Sequence, residues 1–276
     1  MIDSSPLEAL RRQIRTLDGR RSGVPVRGGT VFATGHGPLD TGLGGGLARG
    51  CLHECFACET ADYASATAFA LLLALLASVE GERPLFWLRT DGAHRRSGHV
   101  YGPGLADLGI DPSRLTLIVL PDEAMLLRAA ADCLRSPVLA AVVIECWGNP
   151  AALDLTASRR LTLAAEQGGS AGILLRLDAR PMPSAADTRW SIASAPSVPL
   201  APDAPGHSAF DISLLRQRAG RDGLAWRLEW NRDRHCFVDP SRQPVPGRQA
   251  VPGPVVPVPA ARPAAAGGTL DMGATG

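Results

Sequence analysis

The sequence predicts an α/β protein, a three-layer sandwich in which helices cover both faces of a mostly parallel central sheet. The first observation is a series of short, continuous apolar runs that alternate with longer segments of helical character. Continuous apolar runs are typical of strands buried on both faces, as in parallel sheets. The second is a pair of later runs, one with strict alternation of apolar and polar residues. This pair predicts a C-terminal antiparallel hairpin at the sheet edge.

The composition describes a chain able to bury one core. It has 276 residues, 45% of them hydrophobic, which suffices for a core of roughly 200 residues. The longest apolar stretch, residues 68–79, is too short for a membrane span and is predicted to be a buried helix. The N-terminus lacks the apolar segment of an export signal, and the six cysteines lie mostly in apolar runs. We therefore expect a cytoplasmic protein without a membrane partner.

Residues 1–27 are predicted to form an N-terminal amphipathic helix and a linker. Ser5 suits the N-cap and Pro6 the first helical position. The apolar side chains of this helix form a single stripe, which could pack on the chain's own core or on another protein. We predict another protein, because the linker would let the helix contact a second molecule. The stripe consists of Leu7, Leu10, Ile14 and Leu17.

Residues 28–240 are predicted to form the α/β core, in which strands and helices follow one another in chain order. Strands are expected at 51–56, 83–90, 114–120, 139–146 and 171–177, and helices at 64–79, near 103–109, at 122–135 and at 151–167.

The remainder of the chain is predicted to contain a long loop, the hairpin and a tail. Residues 178–209 are rich in proline and show little periodicity, so we expect a long loop. The hairpin strands are expected at 210–218 and 224–230. Residues 241–276 consist largely of Pro, Ala, Gly and Val without a period and are predicted to be a disordered tail.

Several ordered motifs carry a resemblance to a known family. The run TGHGPLDTGLGGGLARG (34–50), the segment LADLGIDPSRLTLI (105–118) and VVIE (142–145) are similar to the RecA-type ATPase core. LRRQIRTLDG (10–19) and SAADTRWSIASAPS (184–197), taken with the glycine-rich block, resemble the ImuA family. The resemblance covers about residues 6–240.

The resemblance implies a function in the DNA-damage (SOS) response. ImuA proteins are RecA-like accessory proteins of translesion synthesis and induced mutagenesis. The resemblance implies an ImuB-like protein as direct partner, an error-prone C-family DNA polymerase bound through ImuB, and RecA as a further candidate partner. The alternative is an active RecA-type, DNA-dependent ATPase that acts on single-stranded DNA.

The phosphate loop of the RecA-type pattern is degenerate in this chain. The resemblance places Ala57 and Asp62 at the two conserved glycines, Tyr63 at the lysine and Ala64 at the magnesium-binding hydroxyl. Such a loop works by directing backbone N–H groups and a lysine at phosphate. Glu145 stands where the family has the magnesium-binding Asp. We therefore predict no ATP hydrolysis and no bound cofactor.

Arginines after the last parallel strand are candidate DNA contacts. Arg180 and Arg189 lie in the predicted long loop, and arginine binds backbone phosphate. A solvated surface or an acidic partner protein explains them equally, and a net charge of +1 is low for a dedicated DNA-binding protein. Direct DNA contact stays open at this point.

Three further features invite a chemical interpretation. Cys51, His53 and Cys55 alternate along one strand face with Cys58 close behind, which suggests a zinc site; without a second ligand pair, we favour a core strand and predict no metal. Asp91 lies near the position of the family's water-activating carboxylate, but we favour a plain loop residue. The glycines at 42 and 44–46 lack a dinucleotide spacing and predict a tight turn.

Overall fold

A computed structural model gives the fold of the chain and describes residues 31–78, 83–199, 206–218, 220 and 222–240. The predicted N-terminal helix (1–27) and the predicted tail (241–276) lie outside the described residues.

The main sheet has nine strands and is mostly parallel. In spatial order its strands are β11-β10-β9-β8-β3-β7-β6-β4-β5. From β5 to β8 every neighbouring pair is parallel, and from β8 to β11 every pair is antiparallel. The strands are β3 Leu52–Ala57, β4 Leu85–Thr90, β5 Leu115–Leu120, β6 Ala141–Trp147, β7 Ala171–Leu177, β8 Thr188–Ser194, β9 Ala209–Gln217, β10 Leu224–Asn231 and β11 Cys236–Val238.

Before the main sheet, two short strands, β1 Val31–Phe32 and β2 Leu47–Ala48, form an antiparallel pair of their own. The glycines between them confirm the predicted turn, because Gly44, Gly45 and Gly46 all have positive φ angles. At Gly46 a Cβ atom would come within 2.4 Å of the Phe32 carbonyl oxygen, so only glycine fits there. The helices are α1 Gly37–Gly42, α2 Tyr63–Ser78, α3 Asp91–Ser97, α4 Gly102–Asp107, α5 Glu123–Leu134 and α6 Leu155–Gly168.

Helix α2 is the central buried helix, as predicted. It is apolar around its whole circumference, and every residue from Phe69 to Ser78 is buried. It packs on β3, β6, β7 and β8. By length and composition the segment Thr60–Ser78 resembles a membrane span, but here it is the core helix on one face of the sheet.

The opposite face is covered by α5 and α6. Each starts at an aspartate whose side chain accepts a backbone N–H, Asp122 from Met125 (2.8 Å) and Asp154 from Ala157 (2.6 Å). Helix α5 packs on β4, β5 and β6, whereas α6 packs on β3 and β7. The three-layer sandwich is therefore confirmed for the parallel part of the sheet.

The prediction of an uninterrupted loop over 178–209 is wrong for residues 188–194. These residues form β8, which pairs in parallel with β3 and antiparallel with β9. Trp190 and Ile192 are fully buried and alternate with partly exposed residues. The sequence of this segment contains the alternation of apolar and polar residues that is typical of a strand, but the prolines on either side led to the prediction of a loop. The hairpin β9–β10 is confirmed, although the short β11, and not the hairpin, forms the sheet edge.

Candidate functional site

The positions that the resemblance assigns to phosphate binding begin at the carboxyl end of the parallel strand β3, and ligands bind at such strand ends in open α/β sheets. After β3 the chain makes one turn of 3-10 helix, Thr60–Asp62, and continues directly into α2. Three elements meet here: this turn, the end of β6 and the end of β8. The structure thus brings Asp62, Tyr63 and Glu145 to the same edge of the sheet.

Asp62, at the position of the second loop glycine, binds the chain itself. Its carboxylate accepts hydrogen bonds from the Ser194 backbone N–H (2.8 Å), the Ser194 hydroxyl (2.9 Å) and the Glu59 backbone N–H (3.2 Å). The hydrogen bond from the Ser194 N–H is the main reason why the pKa of Asp62 lies below its ordinary value. An ionised carboxylate of the protein therefore lies beside the start of α2, at a position that the RecA-type resemblance assigns to phosphate binding.

Tyr63, at the lysine position, packs against an aromatic side chain. Its ring meets the Trp147 ring edge-to-face, with centroids 5.0 Å apart at 79°. The guanidinium of Arg96 lies over the same Trp147 ring, 5.5 Å from its centroid. Tyr63 and Trp147 are both half-buried. At the lysine position the chain therefore has an aromatic ring in an edge-to-face contact, and its side chain carries no positive charge.

Glu145 is buried and its carboxylate is surrounded by donors. Trp87 Nε1 donates at 3.0 Å, Trp147 Nε1 at 2.7 Å and the Arg89 guanidinium at 3.0 Å. A metal ion at this carboxylate has to displace these N–H donors. The arrangement is that of a structural ion pair with two indole contacts.

Arg89 connects this carboxylate to α3. Its guanidinium donates to the carbonyls of Ala93 (3.2 Å) and Gly98 (3.3 Å), bonds to the Ser97 hydroxyl and lies over the Trp87 ring. Asp91, the predicted loop carboxylate, instead begins α3 and forms an exposed ion pair with Arg95. Sequence reasoning missed Arg89, because an arginine inside an apolar strand resembles a strand end.

A second buried ion cluster lies on the face of the sheet that α5 and α6 cover. The Glu54 carboxylate accepts from Arg176 (2.9 Å) and from Arg189 Nε (2.8 Å), and both guanidinium groups stack on Phe56. Arg189 is only 11% exposed, so this candidate DNA contact is engaged inside the protein. Arg180, the other candidate, lies exposed in the segment between β7 and β8.

The cysteine and histidine residues of β3 belong to the core. His53 is buried, and its ring nitrogens bond to the Thr188 hydroxyl and the Ala48 carbonyl, both at 2.8 Å. Burial lowers the pKa of His53 and raises that of the Cys55 thiol. All six cysteines are free, and Cys58 is exposed whereas Cys55 is buried. Within the described residues, no group of three or more His, Cys, Asp or Glu side chains is arranged to hold a metal.

Comparisons with known proteins show which proteins this chain is similar to. The chain is 33% identical over 199 residues to Protein ImuA of Caulobacter vibrioides, both in strain NA1000 / CB15N and in strain ATCC 19089 / CIP 103742 / CB 15. Each alignment covers 67% of this chain and 77% of the relative. The crystal structure of the RadB recombinase matches with a TM-score of 0.51 at 17% identity. That match covers 75% of this chain and 99% of RadB, and it shows a RecA-like fold. No protein-family model matches the chain.

Proposed function

The chain belongs to the ImuA family, and on that premise we propose that it is a non-catalytic accessory protein of damage-induced mutagenesis. In this proposal the RecA-like domain helps to assemble an error-prone translesion DNA polymerase complex. An ImuB-like protein is the direct partner, the C-family polymerase is bound through it, and RecA is a further candidate. The complex acts in the cytoplasm, on damaged DNA that the polymerase contacts.

The non-catalytic part of the proposal rests on one observation: at the positions that the resemblance assigns to nucleotide binding, the side chains bind other residues of the same chain. Asp62 binds Ser194, Tyr63 packs on Trp147, and Glu145 accepts from three N–H donors. A triphosphate at this edge would meet the ionised Asp62 and no lysine. Each charge-assisted bond that is lost costs about 1.5–3 kcal/mol. The alternative function, a DNA-dependent ATPase, requires these contacts.

Partner binding is assigned to the apolar stripe near the N-terminus, Leu7, Leu10, Ile14 and Leu17. These residues lie outside the described part of the chain, so the assignment rests on the 3-4-3 spacing of apolar side chains. Arg180 is the remaining candidate DNA contact, since Arg189 is paired with Glu54.

Co-purification tests the assembly function. We expect the tagged chain to retain a co-expressed ImuB-like protein, and Leu10→Asp with Ile14→Asp to abolish that retention. Placing a charge without a partner in an apolar interface costs several kcal/mol. Arg12→Asp, on the opposite side of the same predicted helix, changes the net charge by as much as the double variant does and, as the matched control, should leave retention unchanged.

The thermal midpoint of unfolding distinguishes a stripe that packs on the chain's own core from one that binds another protein. If the double variant melts far below the control, then the stripe packs on the chain's own core. If both variants bind the partner as well as the wild type does, then the stripe is not the interface.

A further inference from the structure

The two edges of the main sheet differ in length and in protection. One edge is β11, which has three residues, Cys236–Val238. The other is β5, a six-residue strand with the sequence LTLIVL. It contains no charge, no proline and no glycine, and no register shift interrupts its pairing with β4. Proteins usually protect a long edge strand with one of these devices, because its unpaired N–H and C=O groups attract another strand.

The side chains of β5 are also incompletely covered. None of its residues is fully buried: Thr116 and Val119 are exposed and the other four are half-buried. Val119 is 42% exposed, and Met125, in the first turn of α5 just beyond the strand, is 41% exposed. Exposed apolar surface therefore lies on both sides of this edge, because Val119 shares the face of Leu117, whereas Met125 belongs to α5, which packs on the face of Ile118 and Leu120.

We propose that β5 pairs antiparallel with β5 of a second copy of this chain, so that two nine-stranded sheets become continuous in a dimer. Charge complementarity selects this occupant and this direction. Arg114 comes directly before the strand, and Asp122 follows it two residues after Leu120. Antiparallel pairing places each Arg114 opposite an acidic end, whereas parallel pairing of two copies aligns like charges.

Both charged groups have unused bonding capacity. Arg114 donates from one terminal nitrogen to the Arg83 carbonyl at 3.3 Å. Asp122 uses one carboxylate oxygen to cap α5, at 2.8 Å from Met125 N. The remaining guanidinium N–H groups and the second carboxylate oxygen are available for an ion pair between the two copies.

The same charges define the register. If the two-fold axis passes through Ile118, Arg114 of one copy faces Asp122 of the other, and Leu117 faces Val119. Residues of the same parity then pair, which keeps side chains of both copies on the same face of the continuous sheet. It also brings the backbone groups that point away from β4 opposite each other, because these groups belong to every second residue.

Light scattering after size-exclusion chromatography tests the dimer. We expect the wild-type chain to have twice the 28.9 kDa mass of one copy. Thr116→Lys with Val119→Lys should give the monomer mass at the same concentration, because lysines on both faces of an edge strand disfavour its pairing with another strand. Leu163→Lys, which introduces a lysine at a 56% exposed position on α6, should remain dimeric. Circular dichroism melts of all three proteins establish that each is folded.

Disulfide cross-linking tests the register and stands even if the double lysine variant fails to fold. In a background where the exposed Cys58 is replaced by Ser, Ile118→Cys should form a covalent dimer on mild oxidation. Directly opposed residues in an antiparallel pair lie within disulfide range, at roughly 4.5–5.5 Å between Cα atoms. Leu163→Cys in the same background should stay monomeric on a non-reducing gel.

Three outcomes overturn the proposal. One is a wild-type chain that is monomeric at every concentration tested. The second is a monomer in which the β5 amides are already protected from hydrogen exchange, which places another segment of the same chain on the edge. The third is protection that appears only when the ImuB-like protein is added, which assigns the edge to that partner. Failure to bind ImuB leaves the dimer unaffected, so the two proposals fail separately.

Discussion

The turn after β3 and the end of β6 lie at the same edge of the sheet, yet different interactions hold them. At the turn, Asp62 is only 6% exposed and its side chain accepts hydrogen bonds from Ser194 and Glu59, which are themselves exposed. At the end of β6, Glu145 forms an ion pair with Arg89 in which the two side chains are 1% and 2% exposed. Both positions belong to nucleotide chemistry in the RecA-type pattern. Here Asp62 holds the turn after β3 to Ser194, whereas Glu145 forms part of the buried core.

The hydrogen-bond donors to Asp62 belong to exposed residues, whereas the ion pair of Glu145 is buried. We therefore expect substitutions at the two positions to lower the stability of the fold by different amounts. Hydrogen bonds near solvent contribute modestly, because water replaces the lost partner. A buried ion pair contributes little net free energy while it is intact, but removal of one partner leaves the other charge buried. The contact between Tyr63 and Trp147 joins the two regions, so damage at Glu145 is expected to reach the turn.

The largest effect is expected for Glu145→Ala. It leaves the Arg89 guanidinium buried without a carboxylate and frees the Trp87 and Trp147 indole N–H groups. We expect unfolding to become easier by about 3–5 kcal/mol. A thermal melt should show a drop of roughly 6–20 °C, at about 2–4 °C per kcal/mol for a domain of this size.

The control for this change is Asp91→Ala, which breaks only the exposed pair with Arg95. Exposed ion pairs contribute about 0–1 kcal/mol, so its midpoint should move by no more than a few degrees. Equal midpoints for the two variants would mean that the buried ion pair contributes no more to stability than the exposed one. That result would contradict the effect of burial argued above.

A smaller effect is expected for Asp62→Ala. The change removes the acceptor of two backbone N–H groups and one hydroxyl, and these donors lie close enough to solvent to be partly rehydrated. We expect a loss of about 1–3 kcal/mol of unfolding free energy in urea titrations. Ser194→Ala removes only the hydroxyl donor and should cost less. A greater cost for Ser194→Ala would contradict the role given to the carboxylate.

The pH dependence of Asp62 sharpens the same point. Because hydrogen bonding lowers its pKa in the folded protein, the ionised carboxylate stabilises the fold above the unfolded pKa of about 3.9. That contribution disappears as pH falls through the lower folded pKa. The stability difference between the wild type and Asp62→Asn should therefore be constant near neutral pH and shrink below about pH 4. A stability difference between the two proteins that grows on acidification would contradict a lowered pKa of Asp62 in the folded protein.

Local sequence patterns predicted the central part of this structure well. The apolar runs located β3 to β7, the all-apolar helix α2 was expected to be buried, and alternation in β10 predicted the hairpin. The ImuA resemblance is confirmed by relatives that share 33% of their aligned residues. These features depend on side chains close together in sequence, which is why a single sequence reveals them.

The contacts of the candidate site were not predictable in the same way. Asp62 binds Ser194, and Glu54 binds Arg176 and Arg189, across more than 100 residues of chain. No local period reports such pairs. The partners of Asp62 and Glu54 were missed together with β8, because Ser194 and Arg189 both lie on the strand that the prolines concealed.

The smallest effect is expected when the phosphate loop is partly restored. Tyr63→Lys with Ala64→Thr returns the cation and the magnesium hydroxyl that the RecA-type pattern requires. We nevertheless expect no ATP binding in a fluorescent-nucleotide titration. Asp62 remains ionised and held by Ser194, the turn remains a 3-10 helix, and Ala57 and Asp62 still replace the loop glycines. Binding by the double variant, absent from the wild type, would show that only two side chains separate this chain from a nucleotide-binding protein. It would also show that the hydrogen bonds of Asp62 yield to phosphate. A null result that persists after Ala57→Gly and Asp62→Gly are added would instead assign the obstruction to the Trp147 and Glu145 side of the site. The buried contacts at the end of β6 would then be the stronger of the two barriers.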